Sequence, residues 1–232
     1  MLAVLGWLAV SWIINAPSDK VDVTGSAELK VTPDIAAIYF RIETNGTNAA
    51  DASAKNSDIE NAVINALLQQ GFAREKITTQ NYQTYEDFTW TDEGRKSLGW
   101  KAAHSMKLEM TADKISLAGN AIDAAVSNGA IVDGIDFELS KTLENDYKKQ
   151  AITQATLDAR AKAEGIAEGL GMTIGKVVSV STSDWGYRPW PIYGGMITAS
   201  TGLEEAKAAV TTIQPGEQTV SASVSVSYKL EA

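Results

Sequence analysis

Residues 220–230 read VSASVSVSYKL, and their alternation decides the fold. Val220, Ala222, Val224, Val226, Tyr228 and Leu230 share one parity, while Ser221, Ser223, Ser225, Ser227 and Lys229 share the other. Successive strand side chains point to opposite faces, so this is a strand with one face in a core and one in water, as in an antiparallel sheet. The same period of two recurs upstream, where Ala36, Ile38, Phe40 and Ile42 alternate with Ala37, Tyr39, Arg41 and Glu43. Further strands are expected near residues 21–31, 77–90, 100–110, 131–139 and 176–182.

Between these strands the period changes to that of a helix. Ile59, Val63 and Leu67, with Ile64 and Leu68, repeat at helical spacing, and Gly71 stands where a left-handed residue would close the helix. A shorter helix is expected over 114–127, with Ile115, Ala118, Ile122 and Ala125 inward. A third is expected over 143–170, where Ile152, Ala155, Ala159, Ala163, Ile166 and Leu170 fall at steps of three and four. The small side chains of Ala155, Ala159 and Ala163 allow close backbone approach, either to a sheet or to another helix. Asp158, Arg160, Lys162 and Glu164 are mostly off that stripe and read as a solvated face with weak ion pairs. The class is α+β, with antiparallel sheets packed against about three helices. One compact domain over 21–232 is the simplest arrangement.

Composition narrows the function. The 232 residues carry 20 Lys plus Arg against 29 Asp plus Glu, a net charge of −9, so nucleic acid would meet a repulsive field. There is no cysteine, which removes disulfides, thiolate nucleophiles and cysteine metal sites. With one histidine, His104, a Ser-His-Asp triad is possible only around that residue, and a three-histidine metal site cannot be built within the chain.

Residues 1–14, MLAVLGWLAVSWII, carry no charged side chain. As a helix they span about 21 Å against a hydrocarbon core of about 30 Å, the length of a signal h-region more than of a full span. Ile14-Asn15-Ala16 followed by Pro17 is a poor cleavage site, however, so residues 1–20 read as an uncleaved hydrophobic anchor built on Leu2, Leu5, Trp7, Leu8, Trp12 and Ile13. A cleaved signal and a buried amphipathic helix are the alternatives.

Residues 184–216 break the strand and helix pattern. Trp185, Tyr187, Trp190 and Tyr193 stand among Pro189, Pro191, Gly186, Gly194 and Gly195, and the two prolines favour an ordered loop over a strand. Long loops that persist are often functional, and aromatics gathered on one suggest a protein interface. Subunit contact, packing onto the chain's own surface, and binding of a glycan or apolar small molecule are the three uses open to this loop.

The remaining candidates have plain explanations. His104 shares parity with Met106, Leu108 and Met110, so it reads as a buried histidine satisfied by a hydrogen bond; no nucleophile or orienting acid can be placed beside it. The glycines of Gly169-Leu170-Gly171-Met172-Thr173-Ile174-Gly175 end a helix and precede a strand, the reverse of a dinucleotide fingerprint. Asn45-Gly46-Thr47 reads as an Asn-Gly turn after a strand, and the acidic run at 85–93 lacks the order of a calcium loop and reads as a solvated hairpin tip. No catalytic residue, cofactor or metal ligand is assigned.

Several of these pieces occur in a particular order. Val23-Thr24-Gly25 and Val31-Thr32-Pro33-Asp34 open it, followed by Leu67-Leu68 with Gly71, Lys76-Ile77-Thr78-Thr79 and Gly99-Trp100. Asp158-Ala159-Arg160-Ala161-Lys162-Ala163, Gly171, the strand at 177–180 and Ile213-Gln214-Pro215-Gly216-Glu217 complete it. Together they resemble the SIMPL-domain family, whose bacterial representatives include periplasmic oxidative-stress and immunogenic envelope proteins. The resemblance implies an α+β domain, export to the cell envelope, assembly into oligomers and a link to envelope or oxidative stress; it carries over no catalytic residues. The expectation is a non-enzymatic envelope protein, tethered to a membrane and assembled with itself through the 185–196 loop and the alanine-faced helix, a glycan or small-molecule ligand at that loop being the alternative.

Overall fold

The computed structural model describes residues 19–187, 190–193, 197–198 and 216–232. Its elements are, in order, β1 (Lys20–Val31), β2 (Ile35–Gly46), α1 (Ala49–Gln69), β3 (Ile77–Thr91), β4 (Gly94–Thr111), α2 (Ala118–Val126), β5 (Ile131–Glu138), α3 (Lys141–Gly169), β6 (Thr173–Gly186), β7 (Trp190–Tyr193) and β8 (Gln218–Glu231). They form an α+β fold with two antiparallel sheets, ordered β1-β8-β6 and β3-β4-β2-β5-β7. Where one compact domain is expected, the chain divides into two compact units. One holds the described residues up to Glu28 with Lys148–Gly186 and Ser221–Ala232; the other holds Leu29–Tyr147 and the described residues of Tyr187–Val220.

In the larger unit, Ala36, Ile38, Phe40 and Ile42 point from β2 into the core, where α1 supplies Val63, Ile64 and Leu67 and α2 supplies Ala118, Ile122 and Ala125. The start of α1 is set by reciprocal capping: the Asn48 side chain accepts from Asp51 N at 2.9 Å, and Asp51 Oδ2 accepts from Thr47 N at 2.9 Å. Its end is the left-handed glycine the spacing predicts, Gly71 at φ +86°, with Phe72 N donating to Leu67 O. The helix expected over 114–127 is shorter, because residues 112–117 wind as a 3-10 turn before α2 begins. The expected Asn-Gly turn is absent: β2 continues through Asn45 and Gly46, which pair with Lys101 and Trp100. Gly46 serves close packing instead, since a Cβ there would stand 2.3 Å from Ala52 N.

The acidic run does lie at a hairpin tip. Residues 92 and 93 turn β3 into β4, with Gly94 at φ +111°, and two of the carboxylates are neutralised across the hairpin, Glu86 by Arg95 and Asp87 by Lys101.

In the smaller unit, β8 presents Ala222, Val224, Val226 and Tyr228 inward, as the alternation predicts. The buried stripe of α3 differs from expectation. It is Ala151, Ala155, Ala159, Ala163 and Ala167, while Ile166 and Leu170 are exposed and Ile152 is only partly buried. The reason is distance: a Cβ on Gly25 of β1 would lie 2.0 Å from Ala155 O and 2.3 Å from Ala159 N, so the helix backbone rests on the strand and only alanine fits the stripe. Lys162 Nζ donates to Thr24 O at 3.1 Å, and Asp158 accepts from Ser26 N at 2.8 Å. The Lys162 ammonium and that backbone N–H hold the Asp158 carboxyl below its ordinary value.

Candidate functional site

The sheet of the smaller unit has β1 and β6 as its edge strands among the described residues. Among the described residues β6 pairs with β8 alone, so its other side presents unpaired backbone groups. Directly opposed residues share a face, which places Val180 on the side of its partner Val226. Val226 is buried, yet Val177, Val178 and Val180 are 53%, 61% and 59% exposed, so the α3 cover stops short of this strand. Natural edges are usually guarded by charge, proline or short length. β6 runs for 14 residues with no proline; its charges, Lys176 and Asp184, sit near its two ends, and its register with β8 shifts at three places.

The opposite face of the same sheet carries hydroxyls. Thr24 Oγ1 and Ser225 Oγ are 3.0 Å apart, Ser227 donates to Asp22, and these four line a 250 Å³ concavity with Ser179 and Ser181. The alternation predicts Ser225 and Ser227 to be outward-facing, but not that they line a hollow in which Ser227 is buried.

The four aromatics expected on one loop are divided. Trp185 belongs to β6, whereas Trp190 and Tyr193 belong to β7 and pair with Phe137 and Ile135 of β5. The expected loop is therefore partly a strand. Pro191 is tolerated because β7 is an edge, where a missing N–H costs no ladder bond. Tyr187 is half-buried, and its hydroxyl accepts from Leu139 N at 2.7 Å; burial raises its pKa, the opposing effect of that bond notwithstanding. Ile197 bridges Val132 and is buried in the core. Residues 188–189, 194–196 and 199–215 lie outside the described residues.

Ala155, Ala159 and Ala163 are fully buried against their own sheet, so the alanine face is not open to a second subunit as expected. The anchor residues Leu2, Leu5, Trp7, Leu8, Trp12 and Ile13 lie outside the described residues, among which no helix is long and apolar enough to cross a membrane.

His104 is buried on the core side of β4, as its parity predicts. Its Nε2 is 2.9 Å from Thr79 Oγ1. Its Nδ1 has no hydrogen-bond partner and faces Glu60 Oε2 of α1 at 3.5 Å.

A second polar group, unseen in the sequence, lies on β2, β4 and β5. Lys107 Nζ is 2.6 Å from Glu138 Oε2 and 3.0 Å from Glu109 Oε1, and the Tyr39 hydroxyl donates to the other Glu138 oxygen. Burial and then Glu138 push the Tyr39 hydroxyl far above its ordinary value. Burial works against the Lys107 charge, but its bonds to Glu138 and Glu109 prevail and raise its pKa. Both shifts move away from neutrality, and the contacts of Lys107 and Tyr39 with Glu138 clamp the three strands together. Among the described residues no three His, Asp or Glu side chains are placed to hold a metal.

Comparison with known proteins adds the family. The model of the SIMPL family, described as a protein of unknown function (DUF541), matches residues 21–228. The uncharacterized protein YggE of Edwardsiella ictaluri is 26% identical over 91% of this chain and 87% of its own length. The 26 kDa periplasmic immunogenic protein of Brucella melitensis is 22% identical over 91% and 85%. Interleukin-1 receptor-associated kinase 1-binding protein 1 of Mus musculus is 23% identical over 72% and 62%. With a match running from the first strand into the last, the chain belongs to the SIMPL family.

Proposed function

We propose that this chain is an exported cell-envelope protein that works by assembling with copies of itself into a ring or larger oligomer, tethered to a membrane by residues 1–16. The observation that carries the reading is the edge of β6, a 14-residue strand that pairs with β8 alone among the described residues and has Val177, Val178 and Val180 exposed. Such an edge is a template for another strand, and pairing two copies would satisfy both backbones while covering the valines. The name of the Brucella relative supports a periplasmic location, and the uncharged run at 1–14 supports a tether. Several short anchors side by side would hold the bilayer with an avidity that one lacks.

Charge on the edge tests this. In Val178→Lys/Val180→Lys, two exposed side chains become ammonium groups that a partner strand would have to desolvate. The variant is expected to run as a 24.7 kDa monomer by light scattering, with a melting temperature close to that of the parent. An unchanged oligomer mass would remove β6 from the interface.

A further inference from the structure

We propose that Thr79, His104 and Glu60 form a proton relay that makes the Thr79 hydroxyl a nucleophile toward small neutral carboxylic esters. The inference is independent of assembly, and all three residues lie in the larger unit. His104 is 3% exposed, yet Thr79 beside it is open to solvent. A β-bulge makes this possible: the β3–β4 register passes from Thr79↔Met106 to Asn81↔Ser105, leaving Gln80 outside the ladder. Without that extra residue Thr79 and Tyr82, three positions apart, would point to opposite faces. With it, Thr79 reaches His104 Nε2 at 2.9 Å, while Tyr82 sets its ring edge-on to the imidazole at 5.5 Å.

The position of the carboxylate chooses the tautomer. With the proton on Nδ1, the nitrogen nearer Glu60, the Nε2 lone pair faces the Thr79 hydroxyl; the other tautomer would set the Nδ1 lone pair against a carboxylate oxygen. The 3.5 Å separation closes with a small shift of the Glu60 side chain, and such bonds are commonly long before substrate arrives. This is the order of a nucleophile, a base and an orienting acid.

In the reaction, Thr79 Oγ1 attacks the ester carbonyl carbon, and its proton passes to Nε2 of His104. The bond to the leaving oxygen then breaks, Nε2 returns the proton to that oxygen, and the alcohol departs, leaving an acyl ester on Thr79. Water, deprotonated by the same imidazole, can hydrolyse that ester. Glu60 beside the ring opposes anionic acyl donors, and the half-exposed Tyr82 ring offers a neutral one an apolar wall. His104 is the catalytic base and Glu60 the positioning residue.

The test incubates the full chain with p-nitrophenyl acetate and maps acetyl groups by peptide mass spectrometry. The expected result is acetylation of Thr79 well above its exposed neighbour Thr78, with matching p-nitrophenolate release. Thr79→Val abolishes it and Thr79→Ser retains it. His104→Gln slows it by about 100-fold or more. Glu60→Gln slows it, and Glu60→Asp restores part of the rate, which a purely structural role would not require. Acetyl groups confined to lysines, no acetylation, or a Thr79 rate unchanged in His104→Gln would each overturn the relay. Circular dichroism identifies a variant that has lost its fold; if His104→Gln has, the Thr79-to-Thr78 ratio in the parent chain decides.

Discussion

Gly25→Ala is expected to destabilise the three-stranded unit by about 3 kcal/mol or more, the upper range for forcing one carbon into a packed interior. The new Cβ would stand 2.0 Å from Ala155 O, 2.3 Å from Ala159 N and 2.8 Å from Ala159 Cβ. Two of these are backbone atoms of α3, so no side-chain rotation relieves the clash and the helix must lift from β1. Lifting it uncovers the alanine stripe and parts the contacts of Asp158 with Ser26 and of Lys162 with Thr24. Gly165→Ala on the same helix is the control: a Cβ there meets nothing within 4 Å, so the change should stabilise by about 0.5–1 kcal/mol. Urea unfolding followed by circular dichroism measures both. Equal midpoints for the two variants would contradict the close approach of helix and strand.

The second large effect is expected at Lys107. Its ammonium is 13% exposed and is 2.6 Å from Glu138, itself 14% exposed, with Glu109 also in contact. Asp136 lies close enough that burial and Glu138 raise its carboxyl above the usual aspartate value. Lys107→Met removes the cation among these carboxylates and leaves Glu138 with only the Tyr39 hydroxyl, at a cost of about 2–4 kcal/mol, somewhat under that of breaking a fully buried pair. Adding Glu138→Gln removes the stranded charge while keeping an acceptor for Tyr39, so the double variant should recover most of the loss. The sign with pH follows from the direction of the shifts. The Asp136 carboxyl, raised in the folded state, favours that state below its unfolded value and loses that contribution as pH rises through the folded one, so the deficit of a variant that lacks the nearby Lys107 cation should be smaller near pH 4 than near pH 7. A double variant as unstable as the single one would show that the clamp acts through packing, not charge.

How much of this is legible in sequence follows from how local each cause is. The alternation of β8 and β2, the Gly71 stop and the inward face of α1 depend on neighbours a few positions away, and those features are where the periodicity predicts them. The stripe of α3 is misjudged because Ile166 and Ala167 fit a helical period equally well; what selects alanine is Gly25, far away in the chain. β7 is hidden by its proline, which argues against a strand unless that strand is already known to be an edge. Ile197 lies in an irregular stretch yet reaches the core through a single bridge to Val132.

His104 shows the limit most directly. Its burial follows from parity with Met106 and Leu108, but Glu60 comes from a helix and Thr79 through a bulge at Gln80, and no local pattern announces either. The sequence offers no hydroxyl or acid to place beside this histidine; the fold brings Thr79 and Glu60 to it.

The central claim is self-assembly, and the particle mass of the full chain, extracted in detergent and measured by mass photometry, tests it most directly. The account predicts a discrete multiple of 24.7 kDa that persists on dilution, and the same number of subunits for the chain beginning at Asp19, with assembly carried by the folded units and residues 1–16 serving to tether them. A monomer under both conditions would contradict it.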